Sequence, residues 1–257
     1  MSSESQRLNR ERFGRTAEQF AASAATRDLS QVNSLVELAA VSKADRLLDV
    51  ACGPGRLLAA VAPRVEFAVG VDLTLEMLVI ARTKGPGEGA HPPGLVLGEG
   101  ERLPFRDGAF TLVATTLAIH HFGDPRRVAG EMARVCRPGG RVAVSDLVGP
   151  ADDAKRALAN EIERLRDPSH VEALSGAALE ALLTSQGLVV AGRASGSLAR
   201  EFKEWCRTAG TPPEVAARVR ALLLETQPGD RAGMAPFLVG EEVRFRHNWM
   251  NLVAVKP

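Results

Sequence analysis

A turn between an apolar run and a helical segment places small residues where a ligand could lie against the backbone. The turn DVACGPG, residues 49–55, closes the apolar run 46–51 and precedes RLLAAVAPR, which has helical composition. Glycine lets the backbone come close to a ligand, and the first N–H groups of a helix have no partner within the helix. This segment therefore has the local structure of a ligand-binding turn.

An acidic residue at the end of the second apolar run indicates the kind of ligand. Asp72 lies 19 residues after Gly53, where a carboxylate can accept hydrogen bonds from both hydroxyls of a ribose. The third glycine of a dinucleotide-binding G-x-G-x-x-G pattern is missing, because Leu58 stands at its position. Asp49 is unfavourable beside a pyrophosphate but suits a ligand with an amino group and a sulfonium. These residues favour a charged nucleoside over NAD.

Length and composition are those of a soluble globular protein. The chain has 257 residues, of which 45% are hydrophobic, and 32 Lys+Arg stand against 31 Asp+Glu for a net charge of +1. This length suits one large α/β domain with attachments, or at most two small domains. The balanced charge lacks the long-range field of a dedicated nucleic-acid or membrane-surface binder. We therefore expect neither nucleic acid nor a membrane as a partner.

Apolar runs and cysteines indicate the compartment. The longest apolar stretches have about ten residues, whereas a membrane-spanning helix needs about 20. The N-terminus MSSESQRLNRERF has no apolar segment typical of a signal peptide, so we expect a cytoplasmic protein. The three cysteines at 52, 136 and 206 are odd in number and widely spaced, which predicts reduced thiols and no metal site.

Strands that alternate with helices predict a parallel sheet. Two helical patches, 10–23 and 29–41, precede the first strand and are expected to lie over the sheet's edge. A Gly/Pro-rich loop is expected at 85–94, and two helical stretches with no strand between them fill 198–239. The predicted strands are 46–51, 66–71, 95–100, 110–119, 141–148, 187–194 and 244–257, and the later helices are 124–137, 151–166 and 176–186.

Five sequence elements resemble a known family in their order and spacing: LLDVACGPGRL, VGVDLTLEML, GEGERLPFRDGAFTLV, TTLAIHHF and MARVCRPGGRVAVSDL. They resemble the class I S-adenosylmethionine-dependent methyltransferases, of the small-molecule type similar to quinone-biosynthesis C-methyltransferases (methyltransferase type 11). The likeness covers most of residues 13–150.

The resemblance implies an α/β, Rossmann-like fold. Its seven-stranded, mostly parallel sheet has an antiparallel last strand, helices on both faces and a helical lid. It also implies one methyltransferase domain over residues 1–257, with S-adenosyl-L-methionine as cofactor. Within that domain the lid is residues 1–42, the cofactor-binding core is 43–150, and the remaining sheet with helical caps over the substrate is 151–257.

The same resemblance implies the cofactor-binding residues. The loop that starts at Ala51 and Cys52 wraps the methionine part, with the backbone of Gly53 near its amino group and Asp49 ordering the turn. Asp72 holds the ribose. The remaining implied contacts are Leu73 and Met77 near the adenine, Glu99 and Gly100 on its amine and ring nitrogen, and Thr115, Thr116 and Leu117 facing the methionine carboxylate and sulfonium.

Three residues depart from the family pattern, and a fourth carries a reactive group. Glu99 and Gly100 stand where the family usually has Asp-Ala, and Phe20 stands near the place of a lid tyrosine, although the chain contains no tyrosine. Cys52 has no neighbouring cation to activate a thiolate, so we expect it to pack beside the cofactor.

Methyl transfer from a sulfonium is an in-line displacement, for which the protein mainly has to align the reactants and exclude water. A hydroxyl or acidic-carbon acceptor also needs a general base. The candidates are His120, His121 and His170, and we favour His121 because it leads into the loop after the fourth strand. The alternative is that His121 only holds that loop by hydrogen bonds.

The sequence leaves the role of some other residues open. The segment RFRH, residues 244–247, either grips an anionic substrate or forms the solvated face of an edge strand. Four aromatic residues either line an apolar pocket or belong to the core: Phe202, Trp205, Phe237 and Trp249.

The favoured function is methyl transfer to a small organic molecule at carbon, oxygen or nitrogen, in secondary metabolism. One alternative is a protein or nucleic-acid methyltransferase, which would need an Asn/Asp-Pro-Pro-aromatic element where this chain has TTLAIHHF. Another is a non-catalytic module that binds S-adenosylmethionine, since a fold does not determine its function. A homodimer, the substrate and the acceptor atom stay open.

Overall fold

A single mixed sheet forms the centre of the molecule in the computed structural model, which describes residues 4–23, 29–84 and 91–257. Its strands are β1 Arg46–Val50, β2 Phe67–Asp72, β3 Gly94–Leu97, β4 Phe110–Thr116, β5 Cys136–Val148, β6 Val189–Glu201, β7 Phe237–Val239 and β8 Glu242–Val255. The strand order is β3-β2-β1-β4-β5-β8-β6, and β7 pairs with β8. Strands β1 to β5 pair in parallel, and β8 is antiparallel to both of its long neighbours.

The α/β fold with an antiparallel last strand is confirmed, with three corrections. The sheet has eight strands among the described residues because the three-residue β7 forms where no strand was predicted. Strand β6 runs to Glu201, well past the predicted end at residue 194, because it pairs with β8 along its whole length. Strand β8 spans Glu242–Val255 where 244–257 was predicted; β5 pairs only with residues 248–255, so the segment 244–247 pairs with β6 and, at Arg244, with β7.

Side-chain caps mark the start of three helices. Asp124, Asp152 and Ser175 each accept a hydrogen bond from the backbone N–H three residues later, at 3.0, 2.9 and 3.2 Å, which satisfies a donor that the helix leaves unpaired. No helix in the described parts of the chain is long and apolar enough to cross a membrane. The helices are α1 Glu4–Ala21, α2 Ser30–Leu38, α3 Arg56–Val61, α4 Leu75–Lys84, α5 Pro125–Val135, α6 Asp153–Arg166, α7 Gly176–Thr184, α8 Phe202–Ala209 and α9 Pro213–Glu225, with 3₁₀ turns at Ala62–Arg64 and Ile119–His121.

Both faces of the central parallel strands β1 and β4 are buried. Successive side chains of a strand point to opposite faces, so Leu47 belongs to one core cluster and Leu48 to the other. The first cluster packs α2, α3 and α4 on the sheet, and the second packs α5 and α7. Helix α2 therefore lies on a face of the sheet. The prediction that it lies over the sheet's edge is wrong. Continuous burial explains why β1 and β4 read as apolar runs without alternation.

A third core cluster joins α6, α8 and α9 to β8. Trp205 and Phe202 are 1% and 6% exposed, and the Trp205 ring packs on Phe245 with centroids 4.6 Å apart. Trp205 and Phe202 therefore belong to the core. In the segment 244–247, Phe245 belongs to this core and His247 lies 2.7 Å from the Glu163 carboxylate.

Helix α1 lies against α4 and α8, with a non-helical residue at Thr16. The predicted strands 95–100 and 110–119 end earlier, at Leu97 and Thr116. The second ends because Leu117 has a positive φ of 53°, which takes the chain out of the extended conformation. Of the predicted loop 85–94, residues 85–90 lie outside the described residues.

Gly70 gives a test of how tightly β2 packs against the turn after β1. A Cβ at this position would lie 2.7 Å from both Cys52 Sγ and Leu58 Cδ1, so Gly70→Ala should lower the free energy of unfolding by about 1–3 kcal/mol. A Cβ at Gly94 on the neighbouring strand meets its nearest atom at 3.4 Å, so Gly94→Ala should change it by less than about 0.5 kcal/mol. Urea unfolding of both variants measures the difference, and equal effects would contradict the packing.

Candidate functional site

A cavity opens at the carboxyl ends of β1, β2 and β4 and encloses about 950 Å³ including its mouth. The strand order reverses between β1 and β4, which leaves a crevice at this edge of an open α/β sheet. Helix α1 covers the crevice with Ser5, Gln6, Asn9, Phe13 and Phe20. The predicted residues that line the cavity are Ala51, Cys52, Gly53, Asp72, Leu73, Met77, Glu99, Gly100, Thr116, Leu117 and His121.

Asp72 joins the ends of β1 and β2. Its two carboxylate oxygens accept hydrogen bonds from the backbone N–H groups of Gly53 and Thr74, each at 2.8 Å. Gly53 has a φ of 53°, in the left-handed region that glycine enters without a steric cost. Each Asp72 oxygen keeps further acceptor capacity, so the carboxylate can hold the turn and a ligand hydroxyl together.

Two residues without this freedom also have positive φ at the cavity wall. Ala51 and Leu117 have φ of 56° and 53°, and they directly follow the adjacent strands β1 and β4. Such backbone costs about 1–3 kcal/mol per residue and concentrates at functional sites. Thr115 points away, since its hydroxyl donates to Val50 O at 2.8 Å, and it does not line the cavity.

Asp49, like Thr115, is a predicted site residue that the cavity wall does not include. Its side chain is fully buried, and within the described residues neither carboxylate oxygen has a hydrogen-bond partner. The described residues therefore show no hydrogen bond from this carboxyl group to the turn, and its role in ordering the turn stays a prediction. Burial raises the pKa of Asp49 well above its ordinary value, and the charge of Asp72 raises it further.

Burial also raises the pKa of Asp72, although hydrogen bonds from the backbone of Thr74 and Gly53 oppose the shift. Burial is thus the largest cause of the raised pKa at both carboxyl groups. A cationic ligand would lower the pKa of both carboxyl groups, because an opposite charge favours the ionised form. The two carboxyl groups therefore suit a positively charged nucleoside.

Lid residues that the sequence prediction missed line the other side. Gln6, Asn9 and Phe13 recur at the i, i+3, i+7 spacing of one helix face, a signal present in the sequence. Gln6 Nε2 donates to Glu101 Oε2 at 2.8 Å and lies 3.5 Å from Glu99 Oε2. Glu101, also missed, therefore connects α1 with the segment that holds Glu99.

His121 is the histidine that reaches the cavity. It is 7% exposed, and its Nδ1 lies 2.9 Å from the carbonyl oxygen of Ser169. Because a carbonyl can only accept, Nδ1 carries the proton in the neutral ring and Nε2 keeps the lone pair. Burial lowers the pKa of His121 well below its ordinary value, and the neighbouring His120 adds to the shift. His121 is thus neutral at pH 7.

The other two candidate histidines do not line the cavity. The His120 ring pairs with Asp146; burial lowers the pKa of His120, but the charge and hydrogen bond of Asp146 outweigh burial and raise it overall. His170 Nε2 lies 2.7 Å from Asn160 Oδ1, and burial lowers its pKa to about 4. Neither is positioned to contact a bound ligand.

Cys52 lies in the wall as an unreactive thiol. Burial, followed by the charges of Asp49 and Asp72, raises its pKa well above the ordinary value, so it is not a thiolate at neutral pH. All three cysteines are free and buried, as predicted. Among the described residues, none after Gly123 in the sequence lines the cavity. The four aromatic residues whose role the sequence left open therefore do not line it: Phe202, Trp205, Phe237 and Trp249.

Comparison with known proteins assigns this site to a class. Residues 48–144 match the family described as "Methyltransferase domain". The chain is 29% identical over 202 residues to "Uncharacterized methyltransferase YcgJ" of Bacillus subtilis (strain 168), which covers 79% of this chain and 80% of the relative. The crystal structure of the Bacillus subtilis YcgJ protein superposes with a TM-score of 0.83 at 27% identity, over 89% of this chain and 99% of the other.

A second relative has a name that states its substrate. The demethylmenaquinone methyltransferase of Thermus thermophilus is 36% identical over 129 residues, which are 49% of this chain and 58% of that protein. The Rossmann-like sheet, the crevice at its strand ends and the matching domain over residues 48–144 are those of the methyltransferases. Together with the similar proteins, they indicate an S-adenosylmethionine-dependent methyltransferase.

Asp49 should make the ligand-free protein less stable as pH rises. A carboxyl whose pKa is raised by folding stabilises the fold below the pKa of the unfolded chain, about 3.9, and this stability is lost as pH rises through the folded pKa. Asp49→Asn should therefore unfold with a free energy about 1–3 kcal/mol higher than the wild type at pH 8, and the gap should close towards pH 4.

Urea unfolding across this pH range measures the gap. Asp107→Asn, at a side chain that is 81% exposed, is the matched control and should show little dependence on pH. A wild type more stable than Asp49→Asn at pH 8 would show that the carboxylate has a stabilising partner.

Proposed function

We propose that this enzyme transfers the methyl group of S-adenosylmethionine to a small organic acceptor bound under helix α1. The observation that carries the proposal is that one cavity is lined by both the Asp72 carboxylate at the cofactor end and the His121 ring at the other end. Cofactor and acceptor would therefore meet in a shared, covered space, as displacement at a methyl group requires.

The cofactor end fits S-adenosylmethionine by charge and by hydrogen bonding. The cofactor carries two positive charges, on its sulfonium and its ammonium group, and one negative charge, on its own carboxylate. When bound it supplies an electrophilic methyl group. Asp72 would accept the ribose hydroxyls with its remaining acceptor capacity, and the Gly53 turn would lie along the methionine part. Asp49, buried behind the wall without a hydrogen-bond partner in the described chain, would add negative charge next to the cationic groups.

The acceptor end combines apolar walls with one base. Phe13, Leu117 and Phe122 line it beside His121, and α1 covers it, so water is excluded where the reactants meet. For a hydroxyl or acidic-carbon acceptor, the Nε2 atom of His121 would take the proton as the new bond to the methyl group forms. The neutral ring at pH 7 is the form that can do so.

Charge favours a small molecule over a nucleic acid. The described residues that line the cavity include three carboxylates, Asp72, Glu99 and Glu101, against the guanidinium of Arg56. A polyanion would be repelled by this excess, whereas a neutral organic molecule would not. The relative named for demethylmenaquinone supports an organic acceptor of this general kind. The cytoplasmic location, the role in secondary metabolism, the division into lid, core and cap, and the homodimer stay predictions.

Asp72→Ala should abolish cofactor binding and turnover together. Loss of two charge-assisted hydrogen bonds, each worth about 1.5–3 kcal/mol, should weaken the affinity by at least about 100-fold. Calorimetry with S-adenosylmethionine measures the affinity, and transfer of a radiolabelled methyl group into fractionated cell extract measures turnover. Asp153→Ala, at a 90% exposed side chain, is the control.

The extract experiment also separates the alternatives. Label in the metabolite fraction supports the proposal, and label in the protein or RNA fraction supports a macromolecular substrate. Tight cofactor binding with no labelled product in any fraction would indicate a non-catalytic binding module.

His121→Asn should separate catalysis from binding. The asparagine amide can still donate to Ser169 O, but the Nε2 base is lost, so kcat should fall by about 10²- to 10⁴-fold at unchanged cofactor affinity. In the wild type, kcat/KM should be constant from pH 6.5 to 8 and fall only in acid, where His121 becomes protonated. His91→Asn, at an exposed histidine, is the control. Turnover that survives His121→Asn would show that this residue only holds its loop.

A further inference from the structure

A buried chain of hydrogen bonds leads from His121 away from the cavity. The His121 Nδ1–H donates to the carbonyl oxygen of Ser169 at 2.9 Å, and the Ser169 hydroxyl oxygen lies 3.3 Å from the same nitrogen. The Ser169 hydroxyl and backbone N–H both donate to Asp167 Oδ1, at 2.6 and 3.0 Å. Asp167 thus fixes the residue whose carbonyl orients the His121 ring.

The second oxygen of Asp167 faces the lid helix. Asp167 Oδ2 lies 3.0 Å from Arg12 Nε of α1 and 3.6 Å from Arg166 Nη2, and the Asp167 side chain is fully buried. Burial lowers the pKa of Arg12 to about 10, so its guanidinium stays charged at neutral pH. The two guanidinium groups outweigh burial and hold the pKa of Asp167 below its ordinary range. Asp167 is therefore an anion.

Helix α1 holds His121 at two further points. Asn9 Nδ2 donates to the backbone carbonyl of His121 at 3.0 Å. The Phe13 ring meets the His121 ring edge to face, with centroids 5.1 Å apart, while Arg12 lies over the Phe13 ring at 4.0 Å. The helix that covers the cavity is thus the helix that surrounds the ring.

We propose that Asp167 is a positioning residue for His121, acting through Ser169, and that Arg12 couples this arrangement to the docked lid helix. The proposal rests on the proposed function in one respect, that His121 is the base. Asp167 and Ser169 hold the proton on Nδ1 and so leave the Nε2 lone pair towards the cavity. Because Arg12 belongs to α1, the base is fully positioned only when the lid covers the site.

The charges around His121 make the proposal specific. His120 on its own turn and Arg12 on α1 disfavour the protonated ring, whereas the Asp167 carboxylate favours it. His170 also faces the ring, with centroids 6.3 Å apart, but its pKa of about 4 leaves it neutral. A buried ion pair is weak support for stability by itself, so its position behind the base calls for another role.

Asp167→Asn removes the charge and keeps an oxygen that can accept from Ser169. We expect kcat to fall by about 10- to 100-fold, with KM and cofactor affinity within about twofold of wild type. The acidic limb of the pH profile should move to lower pH, since Arg12 and His120 are no longer opposed. A structural role alone would expose His121 to water and move its pKa up, towards the ordinary value of about 6.5.

Ser169→Ala is the second variant, because Asp167→Asn leaves two buried guanidinium groups without their carboxylate and can unfold the protein. Ser169→Ala keeps every charge and removes only the hydroxyl bridge, so kcat should fall by about 10-fold at unchanged cofactor affinity. Ser145→Ala is the matched control: Ser145 is 1% exposed, and its hydroxyl has no hydrogen-bond partner among the described residues. It should retain kcat within about twofold.

Nitrogen NMR of histidine-labelled protein tests the positioning without any substrate. The chain has five histidines, and His121→Asn identifies the signals of His121. We expect the Nδ1–H form in the wild type and an admixture of the Nε2–H form in Ser169→Ala or Asp167→Asn. An unchanged tautomer together with unchanged kcat in a folded variant overturns the proposal. A shifted tautomer in an enzyme that methylates no acceptor would instead overturn the proposed function and leave the positioning intact.

Discussion

The reversal of strand order between β1 and β4 is the constraint on which the site depends. Right-handed crossovers send the helices after β1 and β2 to one face of the sheet and the helix after β4 to the other. The chain therefore leaves the carboxyl ends of β1 and β4 in opposite directions, and a crevice opens between them. Ala51 and Leu117, the residues that directly follow these two strands, take the positive φ angles that turn the chain away.

Burial and a neighbouring carboxylate together give adjacent histidines different chemistry. His120 and His121 are adjacent in sequence, yet Asp146 raises the pKa of the first overall while burial lowers that of the second. Burial raises the pKa of both Asp49 and Asp72, and the charge of Asp72 raises that of Asp49 further. These carboxyl groups weaken the free protein and favour a cationic ligand, which is the trade between stability and function that binding sites commonly show.

Helix α1 connects covering of the cavity to the geometry of the His121 ring. The same helix contributes cavity-lining side chains, a hydrogen bond to the His121 backbone and the cation that pairs with Asp167. If His121 is the base, as proposed, docking of this helix would exclude water and orient the catalytic group in one event. The helices after residue 150 do not contribute lining residues among those described, but the turn after α6 reaches the site from behind through Ser169.

The sequence by itself determined the α/β sheet, the turn at 49–55 and the place of Asp72, because these follow from local periodicity and from the convergence of parallel strand ends. It also indicated the favoured histidine, whose role as a base is untested. Only the tertiary structure decided that Asp49 has no hydrogen-bond partner in the described chain, and that Asp167 stands behind His121. Such contacts join residues 48 positions apart, from His121 to Ser169, or 196 apart, from Arg12 to Thr208. Local pattern carries no information on pairs at that separation, since packing of whole elements brings them together.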